Sequence, residues 1–260
     1  MEIGYIFSGL LVGLLVGITG VGGGSLMTPL LVFLFAFKPA VAVGTDLLFA
    51  AITKTGGAWV HHGSHKSVEW RIVGLLAAGS LPAASITVLV LRHYAAIGKE
   101  ISHVMTFTLG IALILTALAL IFRHRLHKVG RETESHEPGR FGHLQAPATV
   151  VLGIVLGVLV TLSSVGAGAL GTVALLFLYP RLPTVKIVGT DIAHAIPLTA
   201  LGGIGHLSMG NVNFALLGSL LIGSLPGIWV GSHISARIPE RVLRPILATV
   251  LMLIGFKFVL

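Results

Sequence analysis

Ten apolar runs follow one another along this chain, separated by short polar or glycine-rich breaks. They cover residues 3–19, 25–37, 40–61, 70–91 and 101–122, then 147–161, 168–179, 185–206, 214–234 and 242–260. A membrane-crossing helix needs about 20 predominantly apolar residues, and most of the runs approach that length. Charged residues make up only 10% of the chain against 55% apolar, with a mean hydropathy of +0.98. A water-facing domain carries roughly 25% charged residues, so this composition cannot wet a surface. The predicted fold class is all-α, a polytopic helical membrane protein whose surroundings are a lipid bilayer.

Self-comparison exposes an internal repeat at an offset of about 144 residues, the signature of a duplicated unit. Gly20-Val21-Gly22-Gly23-Gly24 aligns with Ser164-Val165-Gly166-Ala167-Gly168. Val43-Gly44-Thr45-Asp46 recurs as Val188-Gly189-Thr190-Asp191, Val68 and Trp70 match Val212 and Phe214, and Gly79-Ser80-Leu81-Pro82 recurs as Gly223-Ser224-Leu225-Pro226. The expected organisation is a first transmembrane repeat over 1–122, a hydrophilic and mobile connector over 123–146, and a second repeat over 147–260.

Five segments per copy is an odd number, so the second copy should enter the membrane upside down, giving two inverted repeats. Lysine and arginine support this. With the connector in the cytoplasm, alternation puts Lys66, Arg71, Arg123, Arg125, Lys128, Arg131, Arg140, Arg181, Lys186, Arg237, Arg241 and Arg244 inside, and Lys38, Arg92, Lys99 and Lys257 outside. That bias is what the positive-inside rule produces. The loop after His61 holds Lys66 and Arg71, whereas its counterpart after His206 holds no lysine or arginine. Both termini are then periplasmic. The start, Met1-Glu2-Ile3, lacks the basic lead of a secretory signal, so the first run is expected to stay as a helix. The second and seventh runs, at about 18 Å of helix, are too short to span comfortably and read as half-helices.

The breaks before those short runs hold the first candidate site. Thr19-Gly20-Val21-Gly22-Gly23-Gly24-Ser25 interrupts an apolar stretch, and Ser163-Ser164-Val165-Gly166-Ala167-Gly168 does so in the second copy. Unwound backbone at membrane depth is tolerated where protein or a wet cavity satisfies it. The helix start that follows offers unpaired N–H groups suited to an anion, with Ser25 as a cap and Pro29 early in the helix. Inverted copies would bring two such starts together near the midplane. Close helix packing through small residues is the other reading. The candidate binding set is Thr19, Gly20, Gly22, Gly23, Gly24, Ser25, Lys54, Ser163, Ser164, Gly166 and Gly168.

With these motifs in view, the chain resembles the sulfite exporter TauE/SafE family of membrane permeases. The glycine cluster, the Val-Gly-Thr-Asp element and the Gly-Ser-Leu-Pro helix carry the resemblance, which covers nearly the whole chain. It implies a small sulfur oxyanion or sulfonate as cargo, moved outward in many members, with proton coupling as an expectation. It also implies the bacterial inner (plasma) membrane as the location. Ala167 stands where the first copy has Gly23, so the two half-sites need not be equal.

Lys54 lies well inside the third run, where a lysine costs about 2.5–3.5 kcal/mol on insertion scales. It should face the protein interior and meet an acid or an anionic substrate. Thr199 occupies the matching place, so the charge is one-sided. Asp46 and Asp191 are the duplicated acids, read either as helix caps or as proton-coupling carboxylates. Asp191 is placed to approach Lys54 from the other copy. His194 and His206 follow Asp191 on one helix and are read as proton carriers or as structural residues. His61, His62 and His65 lack the cysteine or carboxylate company of a metal site, so neither metal nor other cofactor is expected. Pro82 and Pro226 sit mid-helix at matching places, as kinks or hinges.

Other function classes fit poorly. The 17 Lys and Arg against 9 Asp and Glu lie in short loops and form no basic stripe for nucleic acid. No phosphate-binding loop appears for ATP-driven transport. No converging carboxylates or activated nucleophile mark an enzyme. The reading is a secondary transporter exporting a sulfur-containing anion by alternating access, with an importer of thiosulfate or organosulfonate, or a passive anion channel, as alternatives. Oligomeric state is left open, and a homodimer is compatible with the sequence.

Overall fold

The computed structural model describes residues 3–19, 24–65, 67–97, 101–136, 142–235 and 240–260. Among them the chain forms ten α-helices and no strand: α1 (Ile3–Thr19), α2 (Gly24–Phe35), α3 (Pro39–His65), α4 (Trp70–Ala96), α5 (Ser102–His136), α6 (Gly142–Ser163), α7 (Ala169–Leu178), α8 (Thr184–Ser208), α9 (Phe214–Ser235) and α10 (Glu240–Val259). Stretches of α4, α5, α6, α8 and α9 are long and apolar enough to cross a membrane. Large apolar side chains point outward along these helices, among them Trp70, Ile86 and Leu89 on α4 and Ile222, Leu225 and Trp229 on α9. Acids and hydroxyls are buried instead, including Asp46, Asp191, Thr45 and Thr190. A surface this apolar is stable only against lipid. The protein is a multi-pass membrane protein.

The helices touch across the duplication more than within it. α1 packs on α9, α4 on α6, α3 on α8 and α5 on α10. Small residues set the closeness of these pairs, as in other membrane helices. Any side chain on Gly9 or Gly13 would begin 2.5 or 2.4 Å from the carbonyls of Leu220 and Ser224, and one on Gly153 or Gly157 would begin 2.3 or 2.5 Å from those of Leu76 and Ser80. These are the same contacts with the copies exchanged. In both pairs the contacts advance in the same direction, so α1 runs parallel to α9 and α4 parallel to α6.

The two remaining pairs run antiparallel. Gly44 meets His206 while Gly203 meets Leu48, and Gly110 meets Val259 while Gly255 meets Ile114. Two hydrogen bonds also exchange ends: the Asn213 N–H donates to Thr45 Oγ1 and the Glu69 N–H donates to Thr190 Oγ1, both at 3.0 Å. Asn213 then caps α9, its Oδ1 accepting from the Leu216 N–H at 3.0 Å. Glu69 instead pairs with Lys186 at 2.5 Å.

Two expectations are corrected. The helix of the fifth run does not stop at Phe122: α5 runs on to His136 before α6 begins at Gly142. Its arginines, leucine, lysine and glutamates are good helix formers, and His127 Nε2 donates to the Pro180 carbonyl at 3.4 Å. Asp46 and Asp191 are not helix caps either. Because α3 starts at Pro39 and α8 at Thr184, each acid sits about two turns inside its helix.

Candidate functional site

The break between α6 and α7 is present and strained. Ser164 (φ 58°), Gly166 (φ 125°) and Gly168 (φ 144°) all adopt left-handed backbone, which glycine tolerates and serine rarely does. Ser163 holds the turn: its Oγ donates to the Leu159 carbonyl at 2.6 Å and accepts from the Val165 N–H at 3.1 Å. Gly168 precedes α7 and no side chain caps that helix start. Of its leading N–H groups, that of Gly171 donates to the Gly166 carbonyl at 3.0 Å, and those of Ala169 and Leu170, which lack intrahelical partners by geometry, border the break.

Lys54 arrives at this break from the other copy. Its Nζ donates to the Ala167 carbonyl at 2.6 Å, across 113 residues of sequence. The lysine gives its hydrogen bond to main chain rather than to a carboxylate, and it lies within electrostatic reach of both Asp191 and Asp46. The two acids are held alike. Thr28 Oγ1 donates to Asp46 Oδ2 at 2.5 Å, and Thr172 Oγ1 donates to Asp191 Oδ2 at 3.0 Å. Asp46 Oδ1 and Asp191 Oδ1 are buried without a hydrogen bond, as is Ser164 Oγ, which lies near the Asp46 carboxylate. Gly171 leaves the room Asp191 occupies, since a Cβ there would stand 2.3 Å from Oδ1.

Both histidines of α8 are buried. His194 Nε2 and Ser80 Oγ share a hydrogen bond of 2.8 Å, and His206 Nε2 donates to the Thr161 carbonyl at 3.0 Å beside the end of α6. The Nδ1 atom of each is buried without a partner. The structure thus gathers Lys54, Asp46, Asp191, His194, Ser163, Ser164, Gly166 and Gly168 around one broken helix. In the first copy, Thr19 ends α1 and Gly24 begins α2, which places Ser25 inside the helix rather than at its cap. Gly20, Gly22 and Gly23 lie outside the described residues, as do the side chains of Thr19, Ser25, His61, His62 and His65.

The sulfite exporter TauE/SafE family matches residues 5–258. The chain belongs to the sulfite exporter TauE/SafE family. This TauE/SafE protein is 38% identical to the probable membrane transporter protein YjnA of Bacillus subtilis over the full length of both chains. It is 29% identical to the probable membrane transporter protein YdhB of the same organism, over 90% of each chain. It is 24% identical to the probable membrane transporter protein MJ0441 of Methanocaldococcus jannaschii, over 98% of this chain and 94% of that one. No solved structure matches it significantly.

Thr28, Thr172, Ser80 and Gly171 escaped the reading of the TauE/SafE sequence. A signal for the threonines was present: they align at the same offset as the glycine breaks, one helical turn into α2 and α7. The backbone carbonyl of Ala167 as the partner of Lys54 left no signal at all.

Proposed function

We propose that the protein is a secondary transporter that exports a small sulfur oxyanion, sulfite or a related sulfonate, from the cytoplasm by alternating access between two inverted copies in the inner membrane. The observation that carries this is the bond from Lys54 to Ala167, which brings an intramembrane cation to an uncapped helix start. An oxyanion seated there would meet the ammonium and the leading N–H groups of α7 together. The exchanged contacts and the antiparallel crossings of α3 with α8 and α5 with α10 support a two-fold axis perpendicular to the helices, which is the geometry of inverted copies.

Proton coupling fits the two acids. Each offers a buried oxygen without a hydrogen bond, which a proton would satisfy, and a negative solute is easier to accept beside a neutral acid than beside a carboxylate. The expected orientation puts the end of α5 in the cytoplasm and the termini outside, following the lysine and arginine bias. The test is flux into and out of proteoliposomes with sulfite, thiosulfate, sulfoacetate and sulfate, with and without a pH gradient. Saturable flux of a sulfur anion that follows the gradient is expected. Flux that neither saturates nor responds to protons would make the protein a channel.

A further inference from the structure

The polar centre leaves one negative charge unbalanced. Asp46 and Asp191 both lie within electrostatic reach of Lys54, so with the acids ionised two carboxylates face one ammonium. His194 and His206 add no charge while neutral. A buried charge without a counter-charge is strongly unfavourable. Among the described residues, no group of three or more His, Asp or Glu could hold a metal ion. A divalent ion such as calcium, which takes about six to eight oxygens, is thus poorly matched. One monovalent cation balances the site.

Two buried oxygens mark where such an ion would sit. Asp46 Oδ2 accepts from Thr28, whereas Asp46 Oδ1 has no hydrogen bond. Ser164 Oγ, from the other copy, lies beside that carboxylate and is unpartnered as well. Asp46 is 0% and Ser164 4% exposed, so neither oxygen turns to water. A buried hydroxyl next to a carboxylate ordinarily donates to it. Here the two oxygens make no such bond, which is how two ligands of one cation are arranged. Ser164 holds its place through left-handed backbone at φ 58°, a conformation that persists only where the surroundings fix it. At the repeat offset the first copy has Gly20 instead, so only one break carries the hydroxyl.

The end of α6 adds to this. The carbonyls in the last turn of a helix lack intrahelical partners and carry partial negative charge. In α6, that of Val160 accepts from the Ser164 N–H at 2.7 Å and that of Thr161 from His206. Those of Leu162 and Ser163 are left to the break by geometry. α7 begins on the far side with the opposite sign, and Lys54 joins it there through Ala167. The broken helix therefore has a cation end at Ser164 and an anion end at Ala167.

We infer that Asp46 Oδ1, Ser164 Oγ and the carbonyls ending α6 form a sodium site, whose occupant offsets the charge of Asp46 while an anion seats at the start of α7. Unwound backbone and half-helix C-terminal ends hold sodium in other transporters in this way. Two neighbouring, fully buried oxygens suit a small hard cation better than potassium. Asp191 is left to carry a proton. The anion beside the sodium rests on the transport reading, and the sodium site itself does not.

Thermal unfolding of the purified protein in detergent tests this, in NaCl, KCl and choline chloride at equal ionic strength. NaCl should raise the midpoint saturably, by about 2–4 °C, and the other salts should not. Ser164→Gly, which suits the φ of 58°, and Asp46→Asn should each raise the half-saturating sodium concentration about tenfold or more. Should Asp46→Asn fail to fold, Ser164→Gly decides alone. Lys54→Gln should lower that concentration, because it removes a repelling charge, while it weakens anion binding. Sulfoacetate should lower it too, since linked ligands favour each other reciprocally. Equal midpoints in the three salts would overturn the inference and return Asp46 to a proton. A sodium shift unchanged in both Ser164→Gly and Asp46→Asn would put the ion elsewhere and equally reject the site. Weaker sodium binding in Lys54→Gln would refute the division of the break into two ends. A sodium shift indifferent to sulfoacetate, sulfite and thiosulfate would uphold the cation site and count against the cargo of the transport reading.

Discussion

Lys54 on α3 and Ala167 in the α6–α7 break are joined by a 2.6 Å hydrogen bond between an ammonium and a main-chain carbonyl. The bond gives the lysine two separable roles, as a tether between the copies and as a positive charge at the helix start. Lys54→Gln keeps a donor for the carbonyl and removes the charge, whereas Lys54→Ala removes both. Both variants should weaken anion affinity about tenfold, equivalent to about 1.4 kcal/mol, and Ala should also lower the thermal midpoint more than Gln. Flux kinetics beside thermal unfolding of purified protein separate the two. Unchanged KM in Lys54→Ala would remove the charge from the mechanism.

The threonine–aspartate pairs predict matched losses. Thr28→Val and Thr172→Val each leave a buried carboxylate oxygen without its donor, which should cost about 1–3 kcal/mol of stability. In a background of Asp46→Ala, the Thr28→Val cost should fall sharply, because the orphaned acceptor is gone. Denaturation of the four proteins of that cycle measures the coupling, and an undiminished cost would mean that Thr28 acts through packing.

Gly171 gives a local probe of Asp191. Gly171→Ala places a methyl 2.3 Å from the present Oδ1 position, so the carboxylate must turn away from the break. Transport should fall by about tenfold or more, since a misplacement of about 1 Å in a working site can cost that and beyond. Gly218→Ala, where a Cβ meets nothing within 4 Å, serves as the control and should transport normally. Equal flux in the two variants would show that the orientation of Asp191 is immaterial.

The exchanged glycine contacts predict equal sensitivity in the two copies. Gly13→Leu would force α1 from α9, and Gly157→Leu would force α4 from α6, since each carbonyl lies about 2.5 Å from the added Cβ. Overpacking of this kind costs typically 1–3 kcal/mol or more. Both variants should lose comparable yield of folded protein in size-exclusion profiles. A large disparity would show that the two interfaces carry unequal weight.

Much of the helical layout was legible because lipid imposes a simple rule: every span must be apolar and hydrogen-bonded within itself. The ten apolar runs became ten helices with ends shifted by a few residues at most positions. The break at Ser164 was legible because serine and glycine cluster where a helix would otherwise continue. α5 was misread because hydrophobicity ends at Phe122 while helix propensity does not. The capping reading of Asp46 failed because the run that opens at Ala40 is helical from its first residues, which leaves Asp46 about two turns inside α3. Lys54 was found by its cost, but no pattern in the chain names a carbonyl as its partner. The glycines at 9 and 13, and at 223 and 227, carry the spacing of close membrane packing, and that regularity passed unread beside the louder glycine clusters.

The crossed bonds of Thr45 with Asn213 and of Thr190 with Glu69 bear on how the protein is made. The hydroxyl that receives the Glu69 N–H, just ahead of α4, belongs to α8, which the ribosome delivers more than a hundred residues later. The Glu69 N–H therefore stays without this acceptor until α8 has been made and has folded back. A substitution at Thr190 should then be felt at the start of α4, far away in sequence.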